Sequence, residues 1–265
     1  MAPLRLQDAH LHLQSPRFMA DSDAIIKQAQ DVGISQMVVN GTSPLDWNDV
    51  SELARRYPEI VIPSFGLHPW KTPEIKDGWK ELLIEKLDSH PNACIGECGL
   101  DRWMTGLDKQ TQEEAFIFQL KLASERNLPI SIHILKAWGW LLDVLQETPT
   151  PTRGFLLHSF GGSTEIAKQL AKHGAYFSFS GYFLHERKAG VKKTFRTLPR
   201  ERLLIETDAP DMSPPTKWIT HSLVNQANHP ANLSSILTGL AEVMNEKKET
   251  LAEQLELNFQ RFFKD

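Results

Sequence analysis

The stretch Leu4-Arg5-Leu6-Gln7-Asp8-Ala9-His10-Leu11-His12 opens the chain with an apolar run that ends in two histidines. Side chains of a strand alternate between its faces, so we expect His10 and His12 to lie on one face above Asp8, with Leu6 on the same face. Such a pair of imidazoles can bind a metal, although ordinary strands carry the pattern too. An open doubly wound sheet would place a Gly-rich phosphate loop after this strand, where the histidines stand instead.

Similar short apolar runs recur along the chain and alternate with segments of helical character. The runs are Leu4–Ala9, Gln36–Val39, Ile60–Phe65, Ala93–Glu97, Pro129–Ile134, Gly154–His158, Ala175–Ser180 and Leu203–Glu206. Their ends fall near residues 10, 40, 68, 97, 133, 158, 180 and 206. Eight β/α units of roughly 30 residues predict an α/β fold of the TIM (β/α)8 barrel type. We predict one domain over residues 1–265, without an internal linker.

Helices are expected between these runs. Gly33 is a stop signal after the first helix, and Ser43 with Pro44 is a start signal for the second. The predicted helices are Asp21–Val32, Pro44–Tyr57, Pro73–Ser89, Lys109–Asn127, Ala137–Glu147, Ser163–His173, Arg187–Leu198 and Ala231–Met244. An extra C-terminal helix, Thr250–Phe263, carries one apolar stripe. We expect that helix to pack against the outside of the barrel.

The composition narrows the possible functions. Hydrophobic residues make up 41% and charged residues 23% of the 265 residues, as in ordinary globular proteins. The net charge is −4 and there is no block of basic residues, so a phosphate-bearing substrate must find its positive charge at the site itself. No apolar run approaches the ~20 residues that span a membrane. We also recognise no signal peptide, and we expect a monomer without membrane partners.

Two cysteines, Cys94 and Cys98, fall in the fourth predicted strand. Four strand residues separate them by about 13 Å, too far for a disulfide bond. With Glu97 facing the barrel interior, we expect Ala93 and Ile95 to fill the barrel and both cysteines to face outward. Reduced, buried thiols are typical of cytoplasmic proteins, and we predict that location.

Polar residues collect where the predicted strands end, which in such barrels is the active face. Five of the ten histidines fall there, namely His10, His12, His68, His133 and His158. Glu97 ends the fourth strand, and Asp208 follows the eighth. Mixed imidazole and carboxylate ligands suit Zn²⁺, Mn²⁺ or a similar divalent ion. The sequence therefore predicts a metal centre at the mouth of the barrel.

Six of these side chains are the predicted metal ligands: His10, His12, Glu97, His133, His158 and Asp208. Six ligands are many for one ion that must keep an open position, so we predict two ions that share Glu97 as a bridge. His10, His12 and Asp208 would bind the first ion. His133 and His158 would bind the second. Asp8 and Glu206 lie below the ligands, where they either orient the histidines or satisfy other polar groups of the barrel.

Taken in order, the motifs resemble the TatD family of metal-dependent hydrolases, within the amidohydrolase-like superfamily. The resemblance covers nearly the whole chain. Its markers are Asp8-Ala9-His10-Leu11-His12, Phe65-Gly66-Leu67-His68-Pro69, Gly96-Glu97-Cys98-Gly99-Leu100-Asp101, Gln119-Leu120-Lys121-Leu122-Ala123, His133, His158-Ser159-Phe160-Gly161-Gly162, Glu206-Thr207-Asp208-Ala209-Pro210 and Asn258-Phe259. The resemblance implies one to three divalent metals (Zn, Mg or Mn), held by the same six residues. It also implies hydrolysis of phosphodiesters, most often as a deoxyribonuclease, and a substrate contact from His68.

One departure from the family concerns the phosphate contacts. Family members usually carry Arg two residues after the histidine of the fifth strand, whereas this chain has Leu135 there and Lys136 one step later. Lysine is a flexible point charge and not a bidentate fork, so phosphate would be held differently. We expect His68, Lys136 and Arg102 to contact the substrate.

The expected chemistry is hydrolysis by metal-activated water. The metals would lower the pKa of a bound water toward ~7, and Asp208 would take its proton as general base. His68 would bind a phosphate oxygen or protonate the leaving group. The expected substrate is DNA or another phosphodiester with single-stranded ends, whose bases stack on aromatic residues of the active face. Candidates for that stacking are Trp103, Trp138, Trp140, Tyr182 and Trp218.

Two other readings remain open from the sequence. The same two-metal barrel also supports carbonyl chemistry, so an amidohydrolase-type enzyme acting on an amide, a lactone or another small molecule is the alternative. A scaffold with a vestigial site is the third reading. The intact ligands at all six positions argue against a vestigial site.

Overall fold

Eight parallel strands form the centre of the computed structural model, which describes residues 4–18, 21–223 and 227–264. The strands pair in chain order. They are β1 (Leu6–Leu11), β2 (Ile34–Asn40), β3 (Val61–Phe65), β4 (Cys94–Asp101), β5 (Ile130–Leu135), β6 (Phe155–Leu157), β7 (Ala175–Ser180) and β8 (Leu203–Glu206). Just beyond β8, Asp208 N donates to His10 O (2.9 Å), and His12 N donates to Ala209 O (2.8 Å). These bonds join the ends of β8 and β1, so the predicted barrel is confirmed.

The helices lie on the outside of this sheet, one after each strand. They are α1 (Ser22–Asp31), α2 (Trp47–Arg56), α3 (Trp79–Ser89), α4 (Lys109–Arg126), α5 (Trp138–Glu147), α6 (Thr164–Lys172), α7 (Ala189–Phe195) and α8 (Leu233–Met244), with α9 (Lys248–Phe263) as the extra C-terminal helix. Short 3₁₀ turns over Pro69–Glu74, Gly181–Leu184 and Pro230–Asn232 lengthen three of the connections. Within the described residues, no helix is both long and apolar enough to cross a membrane.

The second helix begins three residues later than its start signal predicts. Asp46, rather than Ser43, precedes the first turn. The Asp46 carboxylate accepts hydrogen bonds from the backbone nitrogens of Thr42 and Ser43, at 2.9 and 3.2 Å. Because this carboxylate binds the preceding backbone, the segment around Pro44 forms a turn that ends beside the barrel mouth.

The C-terminal half of helix α9 closes the bottom of the barrel, whereas Leu251, Ala252 and Leu255 pack with the outer core, so the prediction that α9 packs on the outside holds only for its N-terminal half. Asn258 Nδ2 donates to the carbonyls of Arg200 and Leu203, at the start of β8. Arg153, just before β6, donates to Phe262 O at 2.9 Å. Between these hydrogen bonds, three phenylalanines of α9 pack with residues from seven of the eight strands. This interior cluster is Ala9, Val38, Ile62, Cys94, Leu156, Tyr176, Leu204, Phe259, Phe262 and Phe263.

Strand β4 contains an extra residue that overturns the predicted facing of its side chains. Ile95 pairs with Ile130, but the next pair joins Cys98 to Ile132, so three steps on β4 match two on β5. Cys94 lies in the interior cluster, whereas Ala93 and Ile95 pack with the outer core. Cys98 faces outward, as predicted. The irregularity lets both Cys94 and Glu97 point into the barrel, which strict alternation forbids.

Strand β1 carries a similar irregularity between Asp8 and Leu11. Ala9 lies in the interior cluster, while Leu6 and Leu11 belong to the outer core. The single face predicted for Leu6, Asp8, His10 and His12 is therefore wrong, because the alternation shifts between Ala9 and His10. Below that shift, the Asp8 carboxylate accepts from Thr207 N at 2.9 Å, so Asp8 joins β1 to the end of β8 instead of orienting an imidazole.

Candidate metal centre

Glu97 lies at the middle of the barrel mouth, and its two carboxylate oxygens face two different groups of imidazoles. Oε2 lies 3.4 Å from His10 Nε2 and 3.1 Å from His12 Nε2. Oε1 lies 3.1 Å from His133 Nδ1 and 2.9 Å from His158 Nε2. Each oxygen of the Glu97 carboxylate therefore faces its own group of imidazole nitrogens.

Asp208 completes the first of these groups. Its Oδ1 lies 3.8 Å from His10 Nε2 and 3.6 Å from His12 Nε2. Ligand atoms of the three residues lie within 4.8 Å of one another, as do those of His68, Glu97 and His133. All six predicted ligands thus converge at one end of the barrel. A set of imidazole nitrogens and carboxylate oxygens has the composition of a site for a borderline divalent ion.

Hydrogen bonds to the outer ring nitrogens fix which nitrogen of each histidine points inward. His12 Nδ1 lies 2.8 Å from Asn40 O, an acceptor only, so Nδ1 carries a proton and Nε2 is the ring nitrogen that faces Glu97. His133 presents Nδ1 to Glu97, because its Nε2 lies 2.8 Å from Asp101 Oδ2. Carboxylate and carbonyl partners of this kind orient metal-binding histidines.

His10 and His158 each keep one buried ring nitrogen without a hydrogen-bond partner among the described residues. His10 Nδ1 lies 2.8 Å from Ser131 Oγ, while its inward Nε2 has no partner. His158 Nδ1 has none either and lies 3.6 Å from Glu206 Oε1. A buried, unpartnered Nε2 that faces two carboxylates fits a metal ligand. The donor set is therefore compatible with divalent ions.

His68 differs from the other histidines of the centre. Its Nδ1 accepts a hydrogen bond from Trp70 N at 3.1 Å, so the proton of the neutral ring lies on Nε2. That Nε2 is 3.1 Å from Glu97 Oε1. A protonated nitrogen donates hydrogen bonds and does not bind metal, which separates His68 from the six predicted ligands.

The charges of the centre are strongly coupled. Burial disfavours the ionised form of Glu97, but the charges of His68 and His158 outweigh burial and hold the pKa of Glu97 well below its usual range. Burial lowers the pKa of His10 to about 4, with help from the charge of His158. Burial also raises the pKa of Asp208 to about 7. Burial lowers the pKa of His12, but the hydrogen bond to Glu97 together with the negative charges of Glu97 and Asp208 outweighs burial and raises that pKa to about 9.

Two glycines of β4 let this centre form. Gly96 has φ 141° and Gly99 has φ 147°, conformations that favour glycine. A Cβ on Gly99 would lie 2.0 Å from His133 O, and a Cβ on Gly96 would lie 2.8 Å from Ser131 O. The motif Gly96-Glu97-Cys98-Gly99 therefore combines a ligand with the close backbone approach of β4 to β5.

Asp101 is a residue of the centre that sequence reasoning did not assign. Its Oδ2 accepts from Trp70 Nε1 at 2.7 Å and lies 2.8 Å from His133 Nε2, while its Oδ1 accepts from Trp103 N and Met104 N. These bonds hold the pKa of Asp101 below its usual range against the effect of burial. Its place in the marker motif of strand four was the available signal. Glu206 Oε1 accepts from Ser159 N and Ser159 Oγ, at 2.7 and 2.6 Å, and lies 3.6 Å from His158 Nδ1, so its hydrogen bonds satisfy other polar groups of the barrel.

A cleft of about 620 Å³ opens beside the centre, and His12, His68 and Glu97 line its inner end. Its size is within the usual ~300–1,000 Å³ of ligand sites. Trp70 and Lys71 line the outer part. Of the other expected substrate contacts, Arg102 stacks on the Trp140 ring at 5.3 Å, and Lys136 is exposed at the end of β5 with φ 55°.

A (β/α)8 barrel with histidines and carboxylates at the C-terminal strand ends defines the class of metal-dependent hydrolases. Comparison with known proteins makes the class specific, because a family model described as TatD related DNase matches residues 7–264. The chain belongs to the TatD family. It is 30% identical over 257 residues to proteins named 3'-5' ssDNA/RNA exonuclease TatD from Escherichia coli (strain K12) and Escherichia fergusonii, covering 97% of this chain and 98% of each relative.

Solved structures agree with this assignment. The crystal structure of YJJV, a TatD homolog from Escherichia coli K12, superposes with a TM-score of 0.90 at 27% identity, covering 99% of both chains. The predicted family resemblance is thus confirmed. Membership makes the protein a hydrolase acting on phosphodiester bonds, and the amide or lactone alternative is not favoured.

Proposed function

We propose that this protein is a nuclease that shortens single-stranded ends of DNA with two divalent ions in the centre described above. The observation that carries the proposal is Glu97, whose oxygens face His10 and His12 on one side and His133 and His158 on the other. Asp208 joins the first group. Zn, Mg and Mn are the candidate ions. Two ions at such a centre supply Lewis-acid chemistry, because they acidify water and neutralise phosphoryl charge.

The residues of the chain would share the remaining work. Asp208 lies at the mouth of the barrel, where its carboxylate would take the proton of the attacking water. His68 would donate Nε2–H to a phosphate oxygen or to the leaving group. The cleft that leads to His68 would receive the strand end, and Lys136 and Arg102 would lie close to its phosphates.

Direction and location follow from the relatives and the composition. The curated relatives are named 3'-5' ssDNA/RNA exonucleases, and we extend that direction to this chain. RNA is the second polymer to test for the same reason. Two reduced, buried cysteines support a cytoplasmic location, and we expect the enzyme to act as a monomer.

The test is a degradation assay with end-labelled single-stranded DNA, in Mg²⁺, Mn²⁺ or Zn²⁺ and in chelator. We expect metal-dependent shortening from the 3' end, and a loss of about 10²- to 10⁴-fold in Asp208→Asn. Asp143→Asn, on the exposed face of α5, is the matched control and should keep full activity. Turnover of a lactone without shortening of DNA would overturn the assignment of DNA as the substrate. An active Asp208→Asn variant would overturn the assignment of Asp208 as the general base.

A further inference from the structure

The large hydrophobic side chains that the surface exposes are concentrated on one half of the barrel mouth. Among the described residues, five of the six lie at the last residue of β5 or on the loops that follow β2, β3 and β4, and the sixth is Leu257 on α9. We call these five the apolar rim: Leu45, Trp70, Trp103, Met104 and Leu135. Exposed apolar residues gathered at one place mark a binding surface more often than scattered ones.

Two indole rings form the centre of the apolar rim. Trp103 is 53% exposed and Trp70 is 40% exposed. Their ring centroids lie 6.4 Å apart with the planes inclined by 37°. Trp70 also lines the cleft that leads to Glu97, and its ring lies 5.0 Å from His68. The rings thus continue the wall of the cleft out to the surface.

The carboxylate of Asp101 holds the Trp70 ring and the backbone of Trp103 in place relative to the metal centre. Asp101 accepts from Trp70 Nε1 at 2.7 Å and from Trp103 N at 2.6 Å. The same carboxylate lies 2.8 Å from His133 Nε2. Because these bonds hold Trp70 in place before any ligand arrives, binding to the rim costs little ordering of side chains.

Basic residues alternate with the apolar ones along the rim. Lys71 follows Trp70, Arg102 precedes Trp103, and Lys136 follows Leu135. Lys71 pairs with Glu74 at 3.6 Å, and Arg102 stacks on Trp140, whereas Lys136 makes no ion pair with any described residue. Aromatic faces with cations between them suit unpaired bases joined by phosphates better than a peptide or a lipid.

We propose that the apolar rim is a stacking platform for the bases next to the scissile end of a single-stranded nucleic acid, with Trp70 and Trp103 as its rings. This inference rests on the proposed function and adds the path that the nucleic-acid strand takes over the protein surface. The strand would run from Glu97 past Trp70 to Trp103. Arg17 and Asp211 also line the cleft, on the side away from the apolar rim. Arg17 Nη2 lies 2.7 Å from Asp211 Oδ2, so these two charges pair with each other.

Binding and catalysis can be tested separately. Fluorescence anisotropy of chelator-treated full chain, with an oligonucleotide of thymidines and with the same strand made abasic at its last nucleotides, measures binding without turnover. We expect Trp103→Ala to weaken binding of the base-bearing strand about 5- to 100-fold and to leave the abasic strand unchanged. Trp103→Phe and Trp70→Phe keep a ring and should retain most of the affinity. Leu257→Ala is the control on the opposite end.

Equal affinity of Trp103→Ala and the unchanged protein for the base-bearing strand would overturn the platform, as would equal weakening on both strands or no binding at all. Light scattering adds one more contrary outcome, a dimer that Trp103→Ala dissociates, which would make the rim a contact between copies. Hydrolysis of bis(p-nitrophenyl) phosphate, a diester without bases, reports the proposed function on its own. If every variant hydrolyses that diester while Trp103→Ala binds DNA normally, only the platform fails.

Discussion

At the scale of single residues, Glu97 organises the site because it is buried among five imidazoles. His10, His12, His68, His133 and His158 all lie within 3.4 Å of one of its oxygens. A buried carboxylate needs compensating charge, and imidazoles supply it as protons or, with ions bound, by sharing the carboxylate with a cation. The same residue therefore sets both the protonation of the surrounding histidines and the affinity of the centre for metal.

His68 should behave as a hydrogen-bond donor and not as a ligand, since its Nδ1 accepts from Trp70 N. We expect His68→Ala to lower kcat about 10²-fold while the metal content per chain stays unchanged. Gln can present an N–H in place of Nε2–H, so His68→Gln should recover part of the rate. Elemental analysis beside steady-state kinetics checks both statements. The matched variant His133→Ala should lose metal, and a similar loss in His68→Ala would make His68 a ligand.

His229 offers a pH test away from the metal centre. Burial lowers the pKa of His229 to about 4, and Nε2 has no partner among the described residues. The unfolded chain therefore binds a proton between about pH 6.5 and pH 4 that the folded chain does not. This histidine should thus reduce stability as the pH falls through that window, by up to ~1.4 kcal/mol per pH unit.

Urea unfolding of the wild type and of His229→Gln at pH 7 and at pH 5 measures the effect. Gln keeps a polar side chain and cannot titrate, so the difference in unfolding free energy between the two pH values should shrink in the variant. His173→Gln, on a helix C-terminus at the surface, is the matched control. An unchanged pH dependence in His229→Gln would contradict the assignment.

At the scale of elements, α9 supplies the floor of the barrel. Phe262 is fully buried among residues that point in from the strands, and its ring lies 4.7 Å from that of Tyr176. We expect Phe262→Ala to lower the free energy of unfolding by about 3–5 kcal/mol through the cavity that it leaves. Leu257→Ala, five residues earlier on the same helix and 60% exposed, should change it by less than ~0.5 kcal/mol.

Denaturant unfolding gives both values. The rate per folded molecule should stay unchanged in Phe262→Ala, because the metal centre lies at the other end of the strands. A loss of activity that exceeds the loss of folded protein would show that the floor also shapes the mouth.

The helices and strands also show how much of the fold can be predicted from the sequence. All eight strands fall within a few residues of their predicted positions, because strands buried on both faces carry apolar runs that are easy to recognise. The facing of Cys94 and Ile95 was predicted wrongly, since one extra residue in β4 leaves no mark in composition. The packing of the α9 phenylalanines into the barrel interior was not predicted, because an apolar stripe shows that a helix is buried but not against what.

The metal ligands of the site could be predicted from the sequence, but the residues that hold those ligands in place could not. Six side chains at strand ends could be gathered from the rule that strand ends meet, and they do converge. Asp101 and Ser131 were missed, because their roles depend on which ring nitrogen each histidine turns outward. Trp70 was missed as well, since the bond from its indole to Asp101 depends on how the loops after β3 and β4 pack together.

At the scale of the whole molecule, the metal ligands come from strands far apart in sequence, so bound ions should stabilise the folded chain. An ion present at 100 times its Kd adds about 2.7 kcal/mol, which for a chain of this size raises Tm by roughly 5–10 °C. Calorimetric scans in chelator and in Mn²⁺ or Zn²⁺ measure the shift. Glu97→Gln should lose most of it, and an equal shift in Glu97→Gln would place the binding elsewhere.

The bonds that join β8 to β1 have a consequence for how the chain is made. Asp208 N binds His10 O, and the side chains of these two residues face each other across the same joint. During synthesis, nearly two hundred further residues must therefore leave the ribosome after His10 before Asp208 can pair with it. Contacts of such sequence separation form late and slowly. The nascent chain should therefore become catalytically competent only in the last stage of folding, when β8 pairs with β1 and closes the barrel.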